Sequence, residues 1–226
     1  MRTHLQRDLE RLTQKLLGVG AMVEEAFRLS MEALSERRLD LAEEVIRGDA
    51  RIDDREVDVE EDCLKVLALH APVAADLRRV VAFLKLNNDL ERIGDLAKNI
   101  AQRAAFLTAR EEIAIPGELL EMAASVQRML HDCLDAVVNA DTTLARRVLE
   151  DDEIVDQLHG GFYRLTEERL AVTPERAKDL LQLLSVSRYL ERIADQATNV
   201  AEDVVFMVEG EVIRHQGAGV KASGTG

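Results

Sequence analysis

The sequence predicts an all-α chain of two tandem three-helix bundles related by internal duplication. Three observations predict it. Apolar residues recur at helical period almost from end to end, aromatic residues make up only 3% of the chain, and two acid-bearing blocks recur in the same order about 100 residues apart. Leu, Ala, Val, Glu and Arg are abundant among 226 residues that are 47% hydrophobic and lack Trp. That composition suits helices better than sandwiches or barrels, which draw on aromatic and β-branched residues.

Each element follows from its own pattern. Leu5, Leu9, Leu12, Leu16 and Val19 mark a first helix that resumes through Met22, Ala26, Leu29 and Ala33, with Gly18 and Gly20 expected to loosen it. A second helix runs from Leu39 to Leu69 with Asp40 near its start, and Pro72 punctuates before a third from Ala74 to about Leu107. The stretch Glu111 to Gly117, with Ile115-Pro116-Gly117, is the connector in the middle of the chain. Three further helices follow at Glu118–Asn139, Thr142–Ala171 and Pro174–Val208. Thr173 is expected to cap the last while Pro174 fills its first turn. Gly160-Gly161 predicts a kink or break in the fifth. Helices approaching 30 residues are about 45 Å long and need neighbours along their whole length. The expected division is 1–110 for the first bundle, 111–209 for the second, and a disordered tail at 210–226, where Gly, Ser and Thr take over.

The halves are copies of one another. Leu90-Glu91-Arg92-Ile93-Gly94-Asp95 aligns with Leu190-Glu191-Arg192-Ile193-Ala194-Asp195 at an offset of 100 residues. In the preceding helices Asp49, Ile52 and Asp53 align with Asp152, Val155 and Asp156 at an offset of 103. Pro72 and Pro174 fall at equivalent joints. Chance helical similarity mimics a few apolar matches, but not two acid-bearing blocks in one order.

Charge and cysteine content exclude several functions. With 29 Lys and Arg against 43 Asp and Glu, the net charge of −14 disfavours direct contact with nucleic acid, while admitting divalent cations and basic partner surfaces. Cys63 and Cys133 lie in apolar helical patterns without metal-ligand spacing and read as small reduced core residues. The N-terminus meets charge too early for a signal peptide, and no window approaches the roughly 18 apolar residues of a membrane span. A soluble, cytoplasmic protein is expected.

The chemistry-bearing feature is a stripe of acids. Glu91, Asp95 and Asn99 are spaced i, i+4, i+8, drifting about 40° per step, so they share one helix face. Asn88 and Gln102 extend the stripe, and Leu86, Leu90, Ile93, Ala97, Ile100 and Ala104 form the apolar face. The last helix repeats it with Glu191, Asp195, Asn199 and Glu202, and the preceding helices bring Asp49/Asp53 and Asp152/Asp156. One such pair is usually a solvated face. Two matched sets on adjacent helices call for a compensating cation, either Arg92 and Arg192 or a divalent metal, for which all-oxygen donors suit Mg²⁺, Ca²⁺, Mn²⁺ or iron. Di-iron bundle enzymes use Glu-x-x-His pairs. None of the five histidines follows a Glu by three, and Asp156-x-x-His159 is the nearest approach. Neither a phosphate-binding Gly-rich loop nor a nucleophile motif is present, so no catalytic constellation is expected.

These blocks, with Pro72-Val-Ala-Ala-Asp76-Leu77-Arg78 and Val208-Glu-Gly-Glu-Val-Ile-Arg-His215, resemble the PhoU family of bacterial phosphate-transport regulators over residues 1 to about 215. The resemblance implies two similar three-helix bundles and a non-enzymatic regulator. It further implies an adaptor linking the ATPase subunit of the phosphate ABC transporter to the sensor histidine kinase of the phosphate regulon, working as a homodimer and reaching the membrane through partners only. The family's metal motif, an acid followed four residues later by Asp, maps onto Glu91/Asp95 and Glu191/Asp195, with Asp49/Asp53 and Asp152/Asp156 facing. Asn99, Asn199, Arg92 and Arg192 are the surrounding polar residues, and the implied ion is Mg, Mn, Zn, Fe or Ca. Tyr189 stands where the first repeat has Asp89, and Gln196 replaces a His common in the family, so the second site is expected to be the weaker. The competing readings are a metal-dependent bundle enzyme and a structural helical spacer. Metal-dependent turnover would mark the first, and unchanged regulon output on deletion the second.

Overall fold

The computed structural model describes residues 2–213; residues 214–226 of the expected tail lie outside the described residues. The described residues form six α-helices, one 3-10 turn at Pro174–Arg176 and no strand. The helices are α1 (Arg2–Ser35), α2 (Leu39–His70), α3 (Ala74–Thr108), α4 (Gly117–Asn139), α5 (Thr142–Val172) and α6 (Ala177–Glu209). α1, α2 and α3 pack on one another as one bundle, α4, α5 and α6 as a second, and α3 lies against α6 between them. α1 also touches α4. The expected all-α tandem architecture is what the chain adopts.

Each bundle is held by the apolar faces that the periodicity marks. Leu9, Leu12, Leu16, Val19, Val23 and Phe27 of α1 are buried, as are Leu86, Leu90, Ile93, Ala97, Ile100 and Ala104 of α3. Burying a Leu or Ile side chain stabilises by about 1.5–3 kcal/mol, so these long stripes outweigh local helix defects. The glycines show this. α1 passes through Gly18 and Gly20 without interruption, and α5 passes through Gly160-Gly161 likewise, so the helix does not break at the pair. Buried Val155, Phe162 and Thr166 clamp α5 on either side of the pair. Gly20 has a packing role: a Cβ there would lie 2.7 Å from Leu134 Cδ2, where α1 meets α4.

The joints differ in detail from expectation. Ala71 ends α2 in the left-handed region at φ 42°, its N–H donating to the Leu67 carbonyl, ahead of Pro72. Thr173 does not cap the last helix. Its hydroxyl donates backward to the Arg169 carbonyl at 2.9 Å, and Pro174 opens a 3-10 turn before α6. The N-cap that does form is at Asp141, whose carboxylate accepts from the Thr143 and Leu144 N–H groups.

The α3–α6 dock is charged at both ends with a fixed polarity. Lys85 of α3 donates to the buried Asp203 of α6 at 3.1 Å, and Arg103 donates to Gln182 at 2.9 Å. Arg110, just beyond α3, pairs with the buried Asp179, which also receives Arg176 at 2.9 Å. Lys85 and Arg110 reach across from the first bundle to carboxylates of the second, and Arg176 of the second bundle shares Asp179 with Arg110. Among the described residues no helix is long and apolar enough to cross a membrane.

Candidate functional site: two acid ladders

In the first bundle the sequence-marked acids of two adjacent helices meet at a lysine, and in the second they share one electrostatic field. In the first, Asp49 of α2 is buried and Asp95 of α3 is half exposed; both accept from one ammonium, Lys98 Nζ, at 2.5 Å and 2.6 Å. Asp53 and Glu91 join the same field. Burial and then Asp49 raise the Asp53 carboxyl above its ordinary range, with Lys98 pulling the other way. Burial, Asp95 and Asp53 raise Glu91. Burial draws the Lys98 ammonium down, but its hydrogen bonds to Asp49 and Asp95 outweigh this and hold it above the ordinary lysine value.

The second bundle has the acids without the lysine. Thr198 stands at the place equivalent to Lys98, its hydroxyl turned to the Asp195 carbonyl at 2.7 Å. Burial pushes the Asp152 carboxyl up to about 6, with Asp156, Asp195 and Glu191 adding to the effect. Burial, Glu191 and Asp156 likewise raise Asp195, against the pull of Arg192. All four expected acids of each set are therefore electrostatically coupled. Among the described residues, however, no three His, Cys, Asp or Glu side chains are arranged as a ready metal-binding group.

Lys98 is the residue that sequence reasoning missed. Of the cations that the sequence offered, Arg92 is exposed and no nearer than 4.0 Å to Asp89. The signal was present in the repeat alignment, where Lys98 faces Thr198 in otherwise matching blocks. The first ladder contains its own cation, whereas the second has Thr198 at that place. Asn99 and Asn199 stand half-buried one turn further on. Gln196 places Oε1 in the interior without a hydrogen-bond partner among the described residues.

One further rung was misplaced. Asn88 is exposed, and it is the buried Asn87 that continues the first ladder, donating to the Glu56 carbonyl at 2.8 Å and to Glu56 Oε1 at 3.1 Å. The repeat offsets carry this rung onto Ser187 and His159, whose Oγ and Nδ1 lie 2.7 Å apart. Ser187 is fully buried, so this pair offers no accessible nucleophile. Cys63 and Cys133 are fully buried as well, and burial pushes the Cys63 thiol up to about 12, which keeps it from forming a thiolate.

A family model described as the PhoU domain matches residues 16–104 and matches again over 119–204. The chain belongs to the PhoU family. The two PhoU matches each cover one bundle and one acid ladder. A phosphate-specific transport system accessory protein PhoU homolog of Aquifex aeolicus is 38% identical over 212 residues, 94% of this chain and 96% of that protein. The crystal structure of PhoU from Pseudomonas aeruginosa superimposes with a TM-score of 0.87 at 33% identity, covering 91% of this chain and 99% of that one. The phosphate transport system regulatory protein PhoU from Streptococcus pneumoniae gives 0.83 at 30% identity over 92% and 98%. These relatives bear the names of accessory and regulatory proteins, not of enzymes.

Proposed function

We propose that this PhoU-family protein is a non-enzymatic regulator of phosphate uptake and phosphate-regulon signalling. In this reading it is an adaptor between the ATPase subunit of the phosphate ABC transporter and the sensor histidine kinase, working in the cytoplasm as a homodimer. The observation that carries the reading is the match along 94% of the chain to a protein named as accessory to the phosphate-specific transport system. The buried Ser187 hydroxyl and buried thiols support a binding role over a catalytic one.

The reading includes a hard cation on the acid ladders. Oxygen-only donors suit Mg²⁺, Ca²⁺, Mn²⁺ or Fe. The second ladder fits better, since Thr198 replaces Lys98 there and Arg192 alone pulls against the mutual repulsion of Asp195, Glu191 and Asp156. On the first, Asp49, Asp53, Glu91 and Asp95 would have to release Lys98. A bound cation would supply positive charge through which a partner carboxylate is held.

The test is a strain lacking the protein, carrying a phosphate-starvation reporter, with membranes from the same strain used for pull-down. Deletion is expected to switch the reporter on under phosphate-rich conditions, and the tagged chain is expected to retain both partners. Asp152→Asn with Asp195→Asn is expected to reduce retention and abolish its chelator sensitivity. Unchanged reporter output on deletion favours the spacer and overturns the proposal, as does direct capture of operator DNA with neither partner retained.

A further inference from the structure

We propose that the outward face of α2 is the surface through which two copies of this chain pair, antiparallel and about a two-fold axis passing between Asp54 and Arg55. This rests on the homodimer in the reading above and assigns its interface. Residues 44, 47, 51, 54, 55, 58, 62 and 65 of α2 fall within an arc of about 120° at helical pitch, forming one stripe about 32 Å long. The stripe is a charge palindrome. When α2 is laid against a reversed copy of itself, Arg51 opposes Asp58, Glu44 opposes Lys65 and Arg47 opposes Asp62, each pairing occurring twice. Asp54 and Arg55 meet at the axis.

The groups at the centre of the stripe are available for such a contact. Arg51, Asp58, Glu44 and Lys65 are all exposed. Glu44, Arg51 and Asp54 have no ion-pair partner among the described residues, while Asp58 is only 3.8 Å from Arg55. Further out, Asp62 is held by Lys15 at 2.6 Å, Lys65 lies 3.3 Å from both Glu61 and Asp62, and Arg47 lies 3.2 Å from Glu43, so the outer contacts add least and the central Arg51–Asp58 pairs carry the surface. Shape agrees with charge. On the α1 side of the stripe lie two surface depressions, one of about 280 Å³ beside Met22, Gly48 and Arg51, and one of about 260 Å³ beside Met22, Gly18 and Asp58. A third, of about 710 Å³ beside Arg51, Asp54, Arg55 and Asp58, lies at the proposed axis.

The duplication supplies an internal control. At the offset of 103, the matching positions on α5 are Arg147, Glu150, Ile154, Gln157, Leu158, Gly161, Leu165 and Glu168, which keep the outermost opposed pair, Arg147 with Glu168, and lose the central ones. The central pattern belongs to the first bundle alone and is not a by-product of building this kind of helix pair. A strip about 32 Å by 10 Å falls short of the roughly 800 Å² per partner of a stable complex, so the expected dimer is weak and salt-sensitive.

Sedimentation velocity on the full chain tests this, with circular dichroism to confirm folding of each variant. The parent is expected to dimerise at low salt and dissociate as salt rises. Arg51→Asp and Asp58→Arg each create two like-charge contacts and are expected to weaken pairing about tenfold. The combined variant is expected to restore it, and a mixture of the two single variants should associate more tightly than either alone. A parent that stays monomeric up to about 100 µM overturns the pairing and the homodimer with it, leaving the regulator reading standing. A dimer indifferent to both reversals overturns this surface only.

Discussion

Lys98→Thr gives the first bundle the residue that the second carries at the same place and removes the ammonium shared by Asp49 and Asp95. The size of the effect follows from burial. The side chain of Asp49 is 10% exposed and that of Lys98 26%, while Asp95 at 47% is well hydrated. Removing one member of a fully buried pair costs about 3–5 kcal/mol, and the exposure of Asp95 brings the expected loss to about 2 kcal/mol. For a chain of this size that lowers the melting temperature by about 4–8 °C. Far-ultraviolet circular dichroism is the assay, since the chain has no Trp. The sign with pH is fixed: the folded-state pKa of Lys98 is raised, so its contribution is fully present below the lysine value of the unfolded chain and is lost only above it. The deficit is therefore expected throughout neutral pH in chelator. Millimolar Mg²⁺ or Ca²⁺ should restore more of the variant's stability than of the parent's. A variant that melts with the parent in chelator at pH 7 would refute the reasoning.

Asp152→Asn is expected to stabilise the protein above pH 6. The parent's carboxyl is raised to about 6, so its folded state gains relative stability below the unfolded value and loses it as pH climbs through 6. Urea titrations across pH 4 to 7 should show the two stabilities diverging by about 2 kcal/mol, and parallel curves would sink the idea. Gly160→Ala and Gly161→Ala should each raise stability by about 1 kcal/mol, because a Cβ at either place meets nothing within 4 Å inside an unbroken helix. Denaturant midpoints decide that; any loss would mean the pair serves a role that the isolated chain does not display. Gly20→Val should cost about 1–3 kcal/mol by forcing Leu134 away from α1, a result read from the same curves.

The fold was legible because its determinants are local and repeated. Apolar spacing on α3 and α6 names the residues that are buried, and the shared blocks around Glu91 and Glu191 give the tandem arrangement. The break at Gly160-Gly161 and the Thr173-Pro174 joint were misread for one reason. Propensity at single residues is worth about 1 kcal/mol, whereas the packing of Val155 and Phe162 around Gly160-Gly161 is worth several times that. The acid sets were legible as sets, since spacing fixes which face they share. Which cation answers them was not legible from spacing. Arg92 and Lys98 are both near Asp95 in sequence, but the Lys98 side chain reaches across to α2 while Arg92 stays in solvent. That choice depends on how the two helices are rotated against each other, and helical period alone does not set the rotation.

The sign pattern at the α3–α6 dock has a consequence for assembly on the ribosome. The first bundle emerges complete while α6 is still unmade, leaving a greasy helix face uncovered among neighbouring nascent chains. Like faces on two such chains bring Lys85, Arg103 and Arg110 against the same three residues, and repulsion keeps them apart. α6 answers Lys85 with Asp203, Arg110 with Asp179 and Arg103 with Gln182, and the connector delivers it from the same chain at high effective concentration. A duplication that began with interchangeable halves has thus become a lock whose key is synthesised last.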